Sequence, residues 1–336
     1  MTVADHTLRR VVVTGATGMI GSHLVCRLLD SGYRDITVLA RAQSSLSKLA
    51  STMLHFGKGD LYQSLECRLM PLMSLDNLKE ALEGCDLLFD CAANISFVGG
   101  QEQITSNRDI AYAVAQAVLE SGVGMVVHVS SISTLQGKEA PECIDESAVM
   151  ESLAGRSSYS ASKFWAENEF WRVYEAGLPV VIVNPSVVLG GGRWNRGAMP
   201  AYEDAVRRGI PSVAGGTTGY VSAEDVARAM EILGRTSTAV GERFILSADN
   251  LPLDEIWAMI ADIMGVKRPK EVPMSVVSAL YRILRFTERA GIRMKLQSPH
   301  LETLLHRHLY DGSKITRYCR FDYTPLPDAI PSMIGW

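Results

Sequence analysis

Short runs of β-branched residues alternate with longer stretches of helical periodicity through the first half of the chain. Continuous apolar runs predict buried strands over 11–14, 36–39, 87–89, 125–129 and 180–183. Between them, apolar residues spaced three and four apart predict helices over 18–30, 75–83 and 104–120. Such alternation is typical of βαβ crossovers, so the sequence predicts an α/β fold with a parallel sheet covered by helices.

After residue 190 the pattern changes to a mostly helical one. Glycines at 190–192 and 215–216 predict loops, and helices are predicted over 201–208, 223–233, 253–264 and 274–290. We therefore expect a Rossmann doubly wound sheet over residues 1–190 and a smaller, mostly helical C-terminal substrate domain over 191–336. The boundary is soft, because segments within 218–248 can return to the first domain.

Composition narrows the class of protein. The 336 residues are 47% hydrophobic and 21% charged, and the net charge is -4, which is ordinary for a globular protein and gives no reason to expect nucleic acid. No apolar stretch reaches about 18 residues and no signal-peptide pattern occurs, so we expect a cytoplasmic protein. The six cysteines lack a C-x-x-C pair and are expected to be reduced, mostly buried thiols. No residue spacing supports a metal site.

A glycine-rich motif follows the first predicted strand and opens the first predicted helix. It reads Gly15-Ala16-Thr17-Gly18-Met19-Ile20-Gly21. Gly15 allows a tight turn, Gly18 lets the backbone approach a pyrophosphate, and Gly21 lets the helix pack closely on the strand. The helix N-terminus offers free N–H groups to phosphates. The motif predicts a dinucleotide site, and the alternative is a tight turn without a ligand.

The end of the second strand bears on the choice of cofactor. Enzymes that select NAD usually place an acidic residue there, whereas an arginine accommodates the 2′-phosphate of NADP. Here the strand ends at Ala40-Arg41, no acidic residue occurs over 38–48, and Ser44 lies nearby. The sequence therefore favours NADP(H) over NAD(H). The alternative is that Arg41 is a solvated surface charge.

A tyrosine and a lysine four residues apart are the first catalytic candidates. On a helix Tyr159 and Lys163 share one face, so the ammonium can lie beside the phenol. A free tyrosine has a pKa of about 10, and a nearby cation lowers that pKa. A strand running into Ser130 and Ser131 precedes the pair. A serine hydroxyl there can hydrogen-bond a substrate oxygen, and the alternative is a strand-ending turn.

Taken in order, the segments TGATGMIG, DCAA, VSS, YSASK and NPSVVLGG resemble the extended short-chain dehydrogenase/reductases of the NAD-dependent epimerase/dehydratase superfamily. The resemblance covers at least residues 9–233. It implies that Tyr159 is the catalytic acid/base and that Lys163 lowers its pKa and binds the nicotinamide ribose. It also implies that Ser131 polarises the substrate oxygen, with Ser130 and Ser133 as the neighbours that a shift of register would promote.

The resemblance implies further cofactor contacts, namely Cys91, Ala92, Ala93, Asn107, Pro185 and Val188. The third strand of the family usually ends in Gly-Asp-Leu, whereas the matching segment here is Met70-Pro71-Leu72. Adenine is then expected to meet backbone and apolar groups, with Leu72 among them. Gly59-Asp60-Leu61 occurs too early and is interpreted as a decoy. Candidates for the substrate pocket are Asn94, Phe97 and Trp194.

Arg41, the segment Asn94-Ile95-Ser96-Phe97 and the long C-terminal region are most similar to dihydroflavonol-reductase-like and hydroxysteroid-dehydrogenase-like members. That similarity implies an NADP(H)-dependent oxidoreductase that reduces an apolar ketone or aldehyde to an alcohol, or the reverse, and a homodimer. One alternative is an NAD-dependent nucleotide-sugar epimerase or dehydratase, whose substrate diphosphate would meet Arg193, Arg196, Arg207 or Arg208. Another is a non-catalytic NADP-binding sensor or scaffold.

A basic stretch interrupts the acidic chain. From Lys267 to Lys295 the sequence carries eight basic and two acidic side chains, a net charge of +6. Apolar residues over 276–284 lie at helical spacing within it. We favour an amphipathic helix packed on the substrate domain, with its arginines toward water. The alternative is contact with a membrane surface.

Overall fold

The computed structural model describes residues 9–93, 100–135, 143–150, 152–154, 156–192, 197–213, 215–289 and 307–335. The strands are β1 Val11–Thr14, β2 Ile36–Ala40, β3 Glu66–Leu69, β4 Leu87–Asp90, β5 Val126–Val129, β6 Cys143–Ile144, β7 Val180–Pro185, β8 Val187–Leu189, β9 Ser212–Val213, β10 Thr217–Ser222, β11 Arg243–Leu246, β12 Asp249–Pro252, β13 Glu271–Val272 and β14 Leu309–Tyr310. The helices are α1 Met19–Asp30, α2 Gln43–His55, α3 Leu75–Leu82, α4 Gly100–Ser121, α5 Ser158–Glu175, α6 Ala198–Arg207, α7 Ala223–Leu233, α8 Leu253–Ile263, α9 Met274–Arg289 and α10 Leu326–Ala329.

Seven strands form one sheet in the order β11-β7-β5-β4-β1-β2-β3. Every pairing within it is parallel. The strand order reverses between β1 and β4, and in doubly wound sheets the crevice at that reversal is where ligands bind. The Rossmann-type α/β fold expected from the sequence is confirmed.

Helices cover both faces of this sheet. Within β1, Val11 and Val13 belong to one apolar cluster while Val12 belongs to the other, because successive side chains of a strand point to opposite faces. The first cluster includes residues of α1, α2 and α7, and the second includes residues of α3, α4 and α5. Burial on both faces explains why the central strands are continuous apolar runs.

The pattern of hydrophobic residues did not predict helix α2 or strand β3, although the family resemblance had matched the end of β3 to the segment beginning at Met70. Helix α2 is polar overall, yet Leu46, Leu49 and Met53 are buried at helical spacing. Strand β3 lies at the sheet edge and its residues are partly or fully exposed, so its sequence lacks an apolar run. The segment 59–64 is a short 3-10 helix, so the interpretation of Gly59-Asp60-Leu61 as a decoy is confirmed.

The chain beyond residue 190 contributes to several layers. Strand β11 forms the edge of the main sheet, whereas β10 lies between β8 and β12 in a three-stranded sheet. Strand β14 pairs with β6, and Asn250 holds Tyr310 by two hydrogen bonds to its backbone, at 3.0 and 2.8 Å. Among the described helices, none is long and apolar enough to span a bilayer.

Helix α1 carries a buried histidine, His23, whose pKa depends on how α1 is packed. His23 is 3% exposed, its Nδ1 lies 2.9 Å from the carbonyl oxygen of Met19, and its ring meets Phe56 edge-on at 5.3 Å. Burial lowers the pKa of His23 from 6.5 to about 4. Because the charged form is disfavoured in the folded state, this contribution to stability is complete above pH 6.5 and is lost as the pH falls toward 4.

We expect His23→Gln, which keeps a donor near Met19, to weaken the pH dependence of the free energy of unfolding. Between pH 6.5 and 4 the difference from the wild type should reach up to about 3 kcal/mol. Urea denaturation at a series of pH values measures it. Equal pH dependence in the two proteins would contradict the assignment.

Candidate active site

The glycine-rich turn lies at the carboxyl end of β1, where the strand order reverses. Gly15 has a φ of +63°, and a Cβ added to it would lie 2.5 Å from the carbonyl oxygen of Cys91. A Cβ on Gly21 would overlap the carbonyl oxygen of Gly15. A side chain at either position would therefore push β1, α1 and the segment after β4 apart.

Gly18 serves a different purpose from the other two glycines. It is exposed at the N-cap of α1, and no side chain caps the first turn of that helix. A Cβ there would meet only the carbonyl oxygen of Gly15, at 3.2 Å, and would fill the space above the helix N-terminus. This open cradle at the positive end of a helix fits the pyrophosphate of a dinucleotide. Thr17, Met19 and Ile20 lie half-buried around it.

A buried row of polar side chains joins the carboxyl ends of β1, β4 and β5. Thr14 donates through Oγ1 to Asp90, and Oδ2 of Asp90 lies 2.8 Å from Nδ1 of His128. The same Thr14 oxygen accepts from the backbone N–H of Ala92 at 3.2 Å. The row thereby fixes the half-buried segment after β4, which consists of Cys91, Ala92 and Ala93.

The end of β2 lies beside the glycine-rich turn, because β2 pairs with β1. Arg41 is exposed directly after β2, and α2 begins two residues later with no side chain capping it. Ser44 lies in the first turn of α2. Leu72 is buried in the apolar cluster that includes Leu39, so contact between its side chain and adenine stays a prediction.

The structure brings Ser131 and Tyr159 together. The Ser131 hydroxyl lies close enough to the Tyr159 phenol to lower its pKa by hydrogen bonding, and Oγ of Ser131 accepts from the backbone N–H of Ser133 at 3.1 Å. The neighbouring Ser130 instead donates its hydroxyl proton to Glu167. Of the adjacent serines after β5, Ser131 is therefore the one whose hydroxyl meets the phenol.

Lys163 is buried one turn after Tyr159 on α5. Its Nζ donates to the carbonyl oxygen of Val129, the last residue of β5, at 2.9 Å. On α4, the buried Asn107 donates to Oγ of Ser162 at 3.1 Å, and Ser162 donates to the carbonyl oxygen of Tyr159 at 2.8 Å. Helix α4 thus supports the first turns of α5, where both catalytic candidates lie.

The pKa values in this site depart from the expectation that Lys163 lowers the pKa of Tyr159. Burial raises the pKa of Tyr159, and the hydrogen bond from Ser131 opposes that rise. Burial also lowers the pKa of Lys163, against the charges of Asp90, Cys91 and Glu167. The physical reason for the difference is that the Lys163 ammonium is directed to a backbone carbonyl while the phenol is partly withdrawn from water.

A buried carboxylate that the sequence analysis missed organises the site from behind. Glu167 is 4% exposed and lies one turn after Lys163 on α5. Its Oε2 accepts hydrogen bonds from Ser130, from Thr134 at 2.8 Å and from Asn184 at 3.0 Å. We call Glu167 and its side-chain donors the Glu167 cluster.

The other oxygen of Glu167 completes the cluster. Its Oε1 accepts from Nε1 of Trp171 at 3.2 Å and from Nη1 of Arg243 at 3.4 Å. The donors lie on α5, on β7, on β11 and on both sides of Ser131, so one carboxylate ties the Ser131 turn to the helix of Tyr159. A glutamate on a buried helix face eight residues after the tyrosine was the available sequence signal.

The loop after β8 adjoins the glycine-rich turn. A Cβ added to Gly190 would lie 2.5 Å from Sδ of Met19. A cavity of about 360 Å³ opens there, and residues 190–192, Glu203, Arg207 and Met333 are among those lining it. Arg207 and Arg208 are exposed, and Arg208 pairs with Asp204 at 3.0 Å.

The remaining predicted residues divide into two groups. Pro185 ends β7 and is buried, and Val188 is half-buried in β8. Asn94, Phe97, Trp194, Arg193 and Arg196 lie outside the described residues. All six cysteines are free thiols, but Cys26 and Cys85 alone among them are buried and Cys143 is exposed, so the expectation of mostly buried thiols was wrong.

Comparison with known proteins agrees with this geometry. The model of the NAD dependent epimerase/dehydratase family matches residues 11–246. The chain belongs to this family. Its members include NAD(P)-dependent oxidoreductases of the extended short-chain dehydrogenase/reductase type, so the chain is such an enzyme and its cofactor is a nicotinamide dinucleotide.

Relatives within and around the family include reductases and dehydratases. A putative dihydroflavonol 4-reductase of Synechocystis sp. is 27% identical over 349 residues, covering 96% of this chain and 93% of the relative. The dTDP-glucose 4,6-dehydratase DesIV of Streptomyces venezuelae, solved with NAD, has a TM-score of 0.75 and 20% identity, covering 97% and 96%. The yeast methylglyoxal/isovaleraldehyde reductase Gre2, solved with NADPH, has a TM-score of 0.72 and 17% identity, covering 97% and 98%. At these identities the two structures show a shared fold.

We expect Glu167→Gln to destabilise the protein by about 2–4 kcal/mol, because a buried amide cannot accept at both positions that the carboxylate serves. Its NH₂ group would face the donors of Trp171 and Arg243. The matched control is Glu169→Gln, which removes a surface pair with Arg172 and should cost less than about 1 kcal/mol. Urea denaturation measures the free energy of unfolding of both variants. Equal decreases would show that the Glu167 cluster stabilises the protein no more than a surface ion pair does.

Proposed function

We propose that this protein is an NADP(H)-dependent oxidoreductase that reduces an apolar ketone or aldehyde to an alcohol, or catalyses the reverse reaction. The observation that carries the proposal is that Ser131 lies beside Tyr159, with Lys163 one turn away. All three lie at the carboxyl ends of the strands, where the glycine-rich turn also lies. A dinucleotide on that turn and an acid beside a second hydroxyl are the two requirements of carbonyl reduction.

Apart from the hydride, which the cofactor provides, each step of the reaction is assigned to a side chain of the protein. A bound nicotinamide supplies the hydride. The Ser131 hydroxyl, oriented by the backbone N–H of Ser133, donates a hydrogen bond to the substrate oxygen as negative charge develops there. Tyr159 gives its phenol proton to that oxygen. Burial raises the pKa of Tyr159, so the phenol keeps its proton until negative charge on the substrate oxygen makes that oxygen a stronger base. Lys163, whose ammonium donates to the carbonyl oxygen of Val129, is the group that would hold the nicotinamide ribose.

The preference for NADP(H) rests on the end of β2. Arg41 is exposed two residues before α2, whose N-terminus has no side-chain cap, so an arginine and free backbone N–H groups are close in the chain at the carboxyl end of β2. Both favour a 2′-phosphate. An NAD-dependent epimerase or dehydratase, the alternative from the sequence, would instead be favoured by an acidic residue at this position.

Further features follow from the same proposal. The likeness to a dihydroflavonol 4-reductase supports an apolar carbonyl substrate. A homodimer would cover Tyr112 on α4 and Trp165 on α5, which are 52% and 43% exposed. Free thiols suit the reducing cytoplasm, which we propose as the location.

Tyr159→Phe should reduce kcat by roughly 10²–10⁴-fold, because it removes the proton donor and leaves the packing of the ring unchanged. Stopped-flow reduction of a panel of aromatic and aliphatic ketones measures the loss, and NADPH binding by fluorescence should be unchanged. Tyr174→Phe, at an exposed position near the end of α5, is the matched control. Full activity of Tyr159→Phe would contradict the assignment, and NADPH binding without turnover by the wild type would favour a sensor.

Arg41→Ala should raise the KM for NADPH by roughly 10–100-fold and leave the KM for NADH nearly unchanged, because a charge-assisted contact to the 2′-phosphate is lost. Steady-state kinetics with each cofactor measure the effect. Arg208→Ala removes another exposed arginine and serves as the control. A wild-type preference for NADH, or purification with bound NAD, would overturn the NADP(H) proposal and favour the epimerase alternative.

A further inference from the structure

Helix α9 has an apolar surface wider than the one it buries. Val277 and Leu284 are 4% and 1% exposed and pack with Val213 and Val272 of β9 and β13. The sequence favoured an amphipathic helix packed on the substrate domain with its arginines toward water. In the structure, Val277 and Leu284 form only the buried part of the apolar surface of α9.

A second apolar stripe on α9 faces solvent. Val276, Leu280 and Ile283 recur at spacings of four and three, which places them on one side of the helix. They are 52%, 39% and 58% exposed, and Phe286, one turn further along, is 74% exposed. An amphipathic helix that only packs on a domain turns polar residues to water at such positions.

The stripe belongs to a concentration of exposed apolar side chains. Ile263 and Val266, just before it in the chain, are 40% and 38% exposed. Of the fifteen large hydrophobic residues that are exposed in the described part of the chain, six lie between residues 263 and 286. A row of exposed apolar side chains along one helix, such as the α9 stripe, marks an interaction site.

The same region is cationic. Between Lys267 and Arg289 the sequence has six basic and two acidic side chains, a net charge of +4 in a chain whose total is -4. Arg268 is paired with Asp262 at 2.6 Å, whereas Lys267, Lys270 and Arg282 are exposed. The occupant of this surface must therefore be apolar and negatively charged.

We propose that the segment 263–286, centred on α9, docks on an anionic lipid bilayer. The exposed stripe would enter the interface between headgroups and acyl chains, and the flanking cations would meet the headgroup phosphates. A second copy of the chain fits less well, because an isologous contact would place two cationic patches against each other. The inference does not depend on the proposed reductase activity.

Vesicle flotation of the full chain tests the proposal. The wild type should float with vesicles of phosphatidylcholine and phosphatidylglycerol at low salt, and binding should fall several-fold at high salt and on pure phosphatidylcholine. Ile283→Glu with Phe286→Glu should weaken binding at least tenfold, and Arg282→Glu roughly fivefold or more. Leu54→Glu, at a 72% exposed position on α2, and Arg320→Glu are the matched controls and should bind like the wild type.

Three results would overturn the proposal. They are absence of binding to anionic vesicles at low salt, equal binding by the stripe variants and the controls, and a wild-type oligomer that the double variant dissociates while vesicles go unbound. Circular dichroism verifies that each variant is folded. If the double variant does not fold, Arg282→Glu against Arg320→Glu decides the matter, since both substitutions change one exposed charge.

Discussion

Five hydrogen bonds to the buried carboxylate of Glu167 are the constraint on which the catalytic geometry depends. A carboxylate away from water is tolerated only when donors surround it, so every element that supplies a donor must be in place at once. Those elements are the end of β5, the turn after it, β7, α5 and β11. The relation between Ser131 and Tyr159 is therefore set by half of the sheet and not by their own loop.

The glycine-rich turn after β1 is also fixed by buried contacts, on the other side of the point where the strand order reverses. Gly15 lies against the backbone after β4, and the Thr14 hydroxyl, which donates to Asp90, accepts from the backbone N–H of Ala92 in the same segment. The glycine-rich turn and helix α5, which carries Tyr159, are thus both held in position by β4 and β5. Rigid strands, rather than loops, fix the distance that a hydride would travel.

The sequence predicts the parts of this arrangement that depend on local pattern. Central strands are apolar throughout because both faces are buried, and the glycines mark positions where backbone meets backbone. Local pattern does not reveal β3, whose position at the sheet edge leaves it half-solvated; the family resemblance alone indicated where this strand ends. Local pattern also does not reveal the role of Glu167, whose partners are up to 76 residues away. The exposed stripe of α9 was also hidden, because periodicity shows that a face is apolar but not whether anything covers it.

Strand β14 pairs with β6, the short strand that follows the Ser131 turn in the chain, across about half of the sequence. Contacts so far apart in sequence close late, because the loop entropy must be overcome before they stabilise anything. The pairing of β6 with β14 can therefore form only after residues near 310 have left the ribosome. During synthesis the glycine-rich turn can form early, whereas the surroundings of Ser131 are completed only when the C-terminal residues have been made.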